Sequence, residues 1–178
     1  MHLAVLFMSA LLVASATGLS AQEIAARTPQ GAASVLTEQT EAGMRLTISV
    51  AGTEPQVFDG VGDALVPLRA GNRSGPVLAL DIDRDGIDEI FVRTSTQGQR
   101  GVLIVFRWDA AASHYAPVTF TEDAGAPKPY LLVHFSQPVS VNGDTIEANN
   151  DSESGGRKRL RVFRYRWNGN GFAQTTDH

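Results

Sequence analysis

Three aspartates at every second position, Asp81, Asp83 and Asp85, are followed at once by Gly86 and closed by Glu89 within the stretch DIDRDGIDE. Carboxylates at that spacing suit one kind of chemistry, because a tight loop turns alternate side chains inward and offers several hard oxygens to one cation. In a Ca²⁺ loop, positions 1, 3 and 5 give carboxylates, position 7 gives a backbone carbonyl, and a glycine at position 6 makes the sharp turn. Here those positions are Asp81, Asp83, Asp85, Ile87 and Gly86, and Glu89 at position 9 can close the shell. The bound Ca²⁺ would be structural, fixing a turn. Arg84 and Asp88 are then expected to face solvent. Without a counter-ion the crowded carboxylates should repel one another and leave the loop poorly ordered. The competing reading is an acidic solvated turn whose aspartates cap backbone groups.

The flanks decide which kind of loop this is. An EF-hand carries a bidentate glutamate at position 12, where this chain has Val92. Val77 to Leu80 before the loop and Ile90 to Thr94 after it are short, apolar or β-branched, and bounded by Gly, Ser, Pro and Gln, which predicts a turn between two strands. In that setting LALDIDRDGIDEIFV resembles the FG-GAP/VCBS family of extracytoplasmic repeats, over roughly residues 76–100. The resemblance implies Asp81, Asp83, Asp85 and Glu89 as side-chain ligands and Ile87 as the carbonyl. Such repeats usually come in tandem and build propeller blades, whereas this chain has a single intact loop. A degenerate echo at Asp59-Gly60-Val61-Gly62-Asp63 lacks the middle acid, and Asn149-Asn150-Asp151-Ser152-Glu153 is a second weak candidate.

The elements that must hold the loop are strands. Residues 45–50 alternate polar and apolar, and further strands are expected at 56–59, 64–68, 77–80, 89–94, 102–108, 114–121, 130–135, 138–141, 145–148, 158–167 and 171–175. Asn142-Gly143 is a hairpin-turn signal. The expected fold is all-β, a small antiparallel sandwich or a partial propeller-like sheet assembly, with the Ca-binding turn between strands. Val105 to Asp109 with Tyr115 echoes Phe163 to Asn168 with Phe172, which suggests a duplicated hairpin rather than a full repeat array. Residues 22–43, rich in Ala, Thr, Gln and Glu with no apolar stripe, read as a mobile N-terminal arm or a short helix, and 44–178 as a single β-rich domain.

Leu3 to Val13 is an apolar run of signal-peptide length, with a cleavage site after Ala21, so 1–21 is expected to be a leader and the mature chain periplasmic or secreted. The run is too short for a membrane span. With no cysteine there is no lipobox for a lipid anchor, no disulfide and no thiol chemistry.

Six of the fifteen Lys and Arg residues fall within 157–166 in a chain of net charge −4. With a bulge near Val162-Phe163 they could form one basic face for an anionic glycan, acidic protein or lipid headgroup; otherwise they protect a sheet edge from aggregation. Nucleic acid is not expected outside the cytoplasm. No catalytic constellation emerges: His114 and His134 stand alone, and Glu122-Asp123 lies in a Gly/Pro-rich loop. The chain is therefore expected to be a calcium-binding β-module for an unknown protein or glycan ligand, monomeric or dimeric. The layout also resembles small periplasmic inhibitor and immunity proteins that block peptidoglycan-degrading enzymes by inserting a loop, for which 97–100 and 149–156 are candidates. The remaining alternative is a polysaccharide-acting enzyme with structural Ca²⁺.

Overall fold

The computed structural model of the chain describes residues 22–96, 100–123, 125–154 and 157–175. The expected leader, residues 97–99 of one candidate loop and 155–156 of the other lie outside the described residues. Every regular element among the described residues is a strand, so the fold is all-β as expected. In chain order the strands are β1 (Gln22–Thr28), β2 (Gly31–Thr40), β3 (Gly43–Val50), β4 (Gln56–Phe58), β5 (Ala64–Leu65), β6 (Leu68–Ala70), β7 (Arg73–Gly75), β8 (Val77–Leu80), β9 (Glu89–Thr96), β10 (Arg100–Asp109), β11 (His114–Pro117), β12 (Thr119–Thr121), β13 (Leu131–His134), β14 (Val139–Asn142), β15 (Thr145–Ser154), β16 (Arg157–Trp167) and β17 (Gly171–Thr175).

They form three sheets. The first is the meander β1-β2-β3-β4; the second runs β11-β10-β9-β5, with β8 also on β9 and β13 also on β10; the third runs β12-β17-β16-β15-β14-β6-β7. Pairing is antiparallel except for the short contacts β12 with β17 and β14 with β6. Two hydrophobic cores show how the sheets stack. Phe91, Leu103, Val105 and Leu131 of the second sheet pack with Ile146, Tyr165 and Phe172 of the third. Ile90, Val92, Phe106 and Tyr115, from the opposite face of that second sheet, pack with Val35, Leu46 and Ile48 of the first. The second sheet is thus covered on both faces, and for that reason β9 is buried without a break from Glu89 to Thr94.

The central sheet presents the acidic loop as the connection of one hairpin. β8 pairs with β9 in the register Leu80↔Glu89 to Val77↔Val92, which leaves residues 81–88 to cross from one strand to the other at the end of the stack.

Three expectations are corrected by the architecture. Residues 22–43 are no arm or helix: β1 and β2 pair along seven residues and cover the central sheet. Their inward residues, Ala26, Ala33, Val35 and Thr37, are mostly small, so alternation existed but its hydropathy contrast was weak. Residues 149–154 are not a loop, because β15 and β16 pair in one uninterrupted register from Thr145↔Arg166 to Ser154↔Arg157. That register has no bulge, so Arg159 and Arg161 share one face while Arg164 and Arg166 lie on the other; β16 lies between β15 and β17 only along Arg164–Trp167 and, among the described residues, pairs with β15 alone before that, so its first basic residues stand on a sheet edge. The turn at Asn142-Gly143 does form, with Gly143 at φ 59° and Asn142 paired to Thr145.

Candidate metal centre

Asp81 leaves β8 and Glu89 begins β9, so the two ends of the acidic stretch are pinned opposite each other by sheet hydrogen bonding. Between them the chain reverses through two left-handed residues, Arg84 at φ 64° and Gly86 at φ 88°. The second is the position that requires glycine. The aspartates organise the reversal: Gly86 N donates to Asp81 Oδ2 (3.1 Å), Ile87 N to Asp85 Oδ1 (2.8 Å) and Asp85 N to Asp83 Oδ1 (3.4 Å). Each aspartate is thereby aimed by a backbone amide, as in an Asx-turn.

The result is a group of Asp81, Asp83 and Asp85 with one carboxylate oxygen from each lying within 4.8 Å of the others, an arrangement that could hold a metal ion. Asp81 Oδ1 is closed off from solvent and has no hydrogen-bond partner among the described residues. A buried carboxylate oxygen without a partner is costly, and a hard cation would satisfy it. Glu89, 1% exposed, accepts a hydrogen bond from Ile82 N (3.2 Å) through Oε2. Burial, with smaller contributions from the charges of Asp83 and Asp85, pushes its carboxyl up to about 7. The all-oxygen, multiply anionic donor set fits a hard divalent cation such as Ca²⁺.

Two cations of the chain itself were not foreseen. Arg107 reaches from β10 to Asp83 Oδ2 (3.1 Å), Glu89 Oε1 (3.7 Å) and Asp85 Oδ2 (3.8 Å), while also donating to Gly169 O (3.0 Å) and lying over the Trp167 ring at 5.1 Å. Arg27 of β1 bonds Asp81 Oδ2 (3.3 Å) and Asp88 Oδ1 (2.7 Å). The expected disorder of a metal-free loop counted no such counter-charge. Asp88 is likewise corrected: it is 7% exposed, not solvent-facing, and holds the Arg27 backbone, its Oδ2 accepting from Arg27 N (2.7 Å) as its own N donates to Arg27 O (3.0 Å). Arg84 is exposed, as expected.

The other candidates are placed apart from this group. Asp59 pairs with Arg45, and Asp63 N bonds Ser95 O. Asp151 lines a groove of about 510 Å³ together with Glu122, Asp123 and Tyr165. There Glu122 faces Lys128 Nζ at 3.8 Å and Asp123 accepts from Gln174 Nε2 at 3.4 Å. His134 Nδ1 lies 3.2 Å from Ser136 Oγ, and His114 begins β11 opposite Asp109. The echoed hairpins do share a design, with Trp108 against Tyr115 (centroids 5.5 Å) and Trp167 against Phe172 (5.2 Å) across their strand pairs.

Among the described residues no helix is long and apolar enough to cross a membrane. No family model matches the chain, and no curated protein matches it either. Among solved structures, one titled "Structure of a Xanthomonas Type IV Secretion System related protein" aligns with 87% of this chain and 93% of that one, at 13% identity and a TM-score of 0.37. A likeness of that size carries no argument. What the fold and site define is an all-β chain whose central hairpin carries an acidic group that could hold a metal.

Proposed function

We propose that the chain is an exported β-module of the FG-GAP/VCBS kind, in which Ca²⁺ bound by Asp81, Asp83, Asp85, the Ile87 carbonyl and Glu89 fixes the β8–β9 connection, and that the module binds a partner. The metal would do no chemistry of its own. It would neutralise the acids that Arg27 and Arg107 compensate only in part, and so lock the end of the central sheet. The observation that carries this reading is Asp81 Oδ1, buried beside two further carboxylates with no hydrogen-bond partner among the described residues. The leader-like start of the chain supports export to the periplasm or beyond.

A second reading, an inhibitor or immunity protein acting on a peptidoglycan-degrading enzyme, is favoured by the β15–β16 ladder. Flanking strands pair only with its first rungs, β14 with residues 145–148 and β17 with 164–167, so the rest projects as a two-stranded ribbon. Its outer face exposes Leu160 (45%) and Val162 (56%), apolar surface suited to a partner. The test of the module is a thermal melt of residues 22–178 in millimolar Ca²⁺ against EDTA, followed by pull-down from periplasmic extract in each condition. An unchanged midpoint would reduce the loop to a solvated turn. A raised midpoint with retention of a peptidoglycan-degrading enzyme, lost on Val162→Asp, would select the inhibitor.

A further inference from the structure

Arg93 stands in the middle of β9 and is 2% exposed. A guanidinium carried into a sheet core gives up its hydration and is ordinarily matched with a carboxylate. Among the described residues Arg93 is matched only with neutral carbonyls: Nη1 donates to Pro67 O (2.5 Å), and Nη2 to Gln137 O (2.6 Å), His134 O (3.1 Å) and Phe135 O (3.1 Å). Its Nε is closed off from solvent and has no partner among the described residues. Burial holds its proton affinity below the usual arginine value, and no neighbouring acid pushes it back.

The two segments whose carbonyls hold Arg93 also bound a cavity of about 430 Å³. Arg69, Ser74, Ser136 and Gln137 line it together with Arg93, Phe135 gives it an apolar wall, and no acidic residue among the described ones takes part. In a chain of net charge −4, two arginines and two hydroxyls gathered without a carboxylate mark a place where negative charge is missing. We infer that this cavity is an anion site, which takes a small carboxylate- or phosphate-bearing molecule held by Arg69, Ser74 and Ser136 and compensating the charge of buried Arg93. Charge-assisted bonds from Arg69 would supply most of the grip, and the exposed Phe135 ring would accept the body of the molecule. The site lies around the middle of β9, four residues on from Glu89 and the acidic loop, and needs no metal.

The test uses the full chain after dialysis free of divalent ions and chelator, with inorganic phosphate and succinate as probes against chloride at equal ionic strength. A saturable rise of the melting midpoint is expected with one or both, together with a shift of the Arg93 side-chain Nε–H resonance along the same titration curve. The stronger probe identifies the head group. Arg69→Gln with Ser136→Ala should leave the chloride midpoint in place and raise the half-saturating concentration about tenfold or more. A rise that never saturates is the general salting-out stabilisation of folded states by excluded anions and overturns the inference. So does a double variant that responds like the parent chain.

Discussion

Glu89 and Arg93 stand four residues apart on one face of β9, 1% and 2% exposed, and the chain handles the two buried charges in opposite ways. Around Glu89 it adds like charge: Asp83 and Asp85 act on it directly, Asp81 and Asp88 stand in the same connection, and Arg27 and Arg107 arrive from other strands against five carboxylates. Around Arg93 it places no carboxylate among the described residues, and fits the guanidinium with four carbonyls instead. The difference teaches what each place on the strand is for. A fork of donors among carbonyls is held by geometry, with only its Nε left without a partner among the described residues, and fastens the segments near Pro67 and Gln137. A surplus of carboxylates can be satisfied only by added positive charge, and that makes the loop responsive to what the solution contains.

The largest effect expected from this contrast is at Arg93. Arg93→Met should cost about 3 kcal/mol, since several buried carbonyls lose their donor at once. Arg93→Lys should recover little, because one ammonium cannot span the four acceptors. Urea unfolding measures both, and a near-neutral Arg93→Met would end the comparison. Next in size is the metal. At a Ca²⁺ concentration a hundred times the dissociation constant, binding to the folded chain alone contributes about 2.7 kcal/mol, or roughly 5–10 °C of melting midpoint for a domain of this length. Asp83→Ala should abolish that rise and Asp123→Ala, in the distant groove, should not. Equal behaviour of the two variants would break the assigned ligand set.

The contrast also marks what could be read from the chain before its fold was in view. Strand positions were legible because alternation is a local signal, and the loop was legible because its ligands lie within nine residues. Arg27, Arg107 and Asp88 were not, since their meaning depends on pairs 61 and 24 residues apart in sequence. A signal for Arg93 did exist: a charge directly after the apolar run Ile90-Phe91-Val92 is unusual within a strand buried on both faces, and asks for dedicated partners. The first two strands were missed because Ala and Thr fit beneath a sheet as well as Val does, yet give little hydropathy contrast.

Acid separates the two places on β9 further. Without divalent ions, Glu89 in the folded chain titrates near 7, pushed up mainly by burial, against 4.5 for the unperturbed side chain. The folded state therefore holds this proton more tightly than the unfolded chain does, and its contribution to stability grows as pH falls from above 7 towards 4.5. Bound Ca²⁺ requires the ionised carboxylate, so its stabilisation should shrink over the same window. Melting midpoints in Ca²⁺ and in EDTA should accordingly converge on going from about pH 8 to about pH 5. Curves that stay parallel would remove Glu89 from the site.

The smallest effect, and the most discriminating, concerns Arg107. Its guanidinium faces three of the loop acids and also bonds the turn between β16 and β17, so it links the central sheet to the third. If metal and arginine supply the same missing charge, Arg107→Gln should destabilise the chain in EDTA by up to about 1 kcal/mol, as a half-exposed ion pair does, and by less in Ca²⁺. The same substitution makes the loop more negative and should tighten Ca²⁺ binding, read by calorimetry. Asp88→Asn serves as the control: it loosens β1 through Arg27 without removing an assigned ligand, so its cost should be similar with and without the metal. A loss at Arg107 that is equally large in both conditions would mean that the guanidinium matters for joining two sheets rather than for balancing the loop, and that the chain's own compensating charge has to be sought in Arg27 alone.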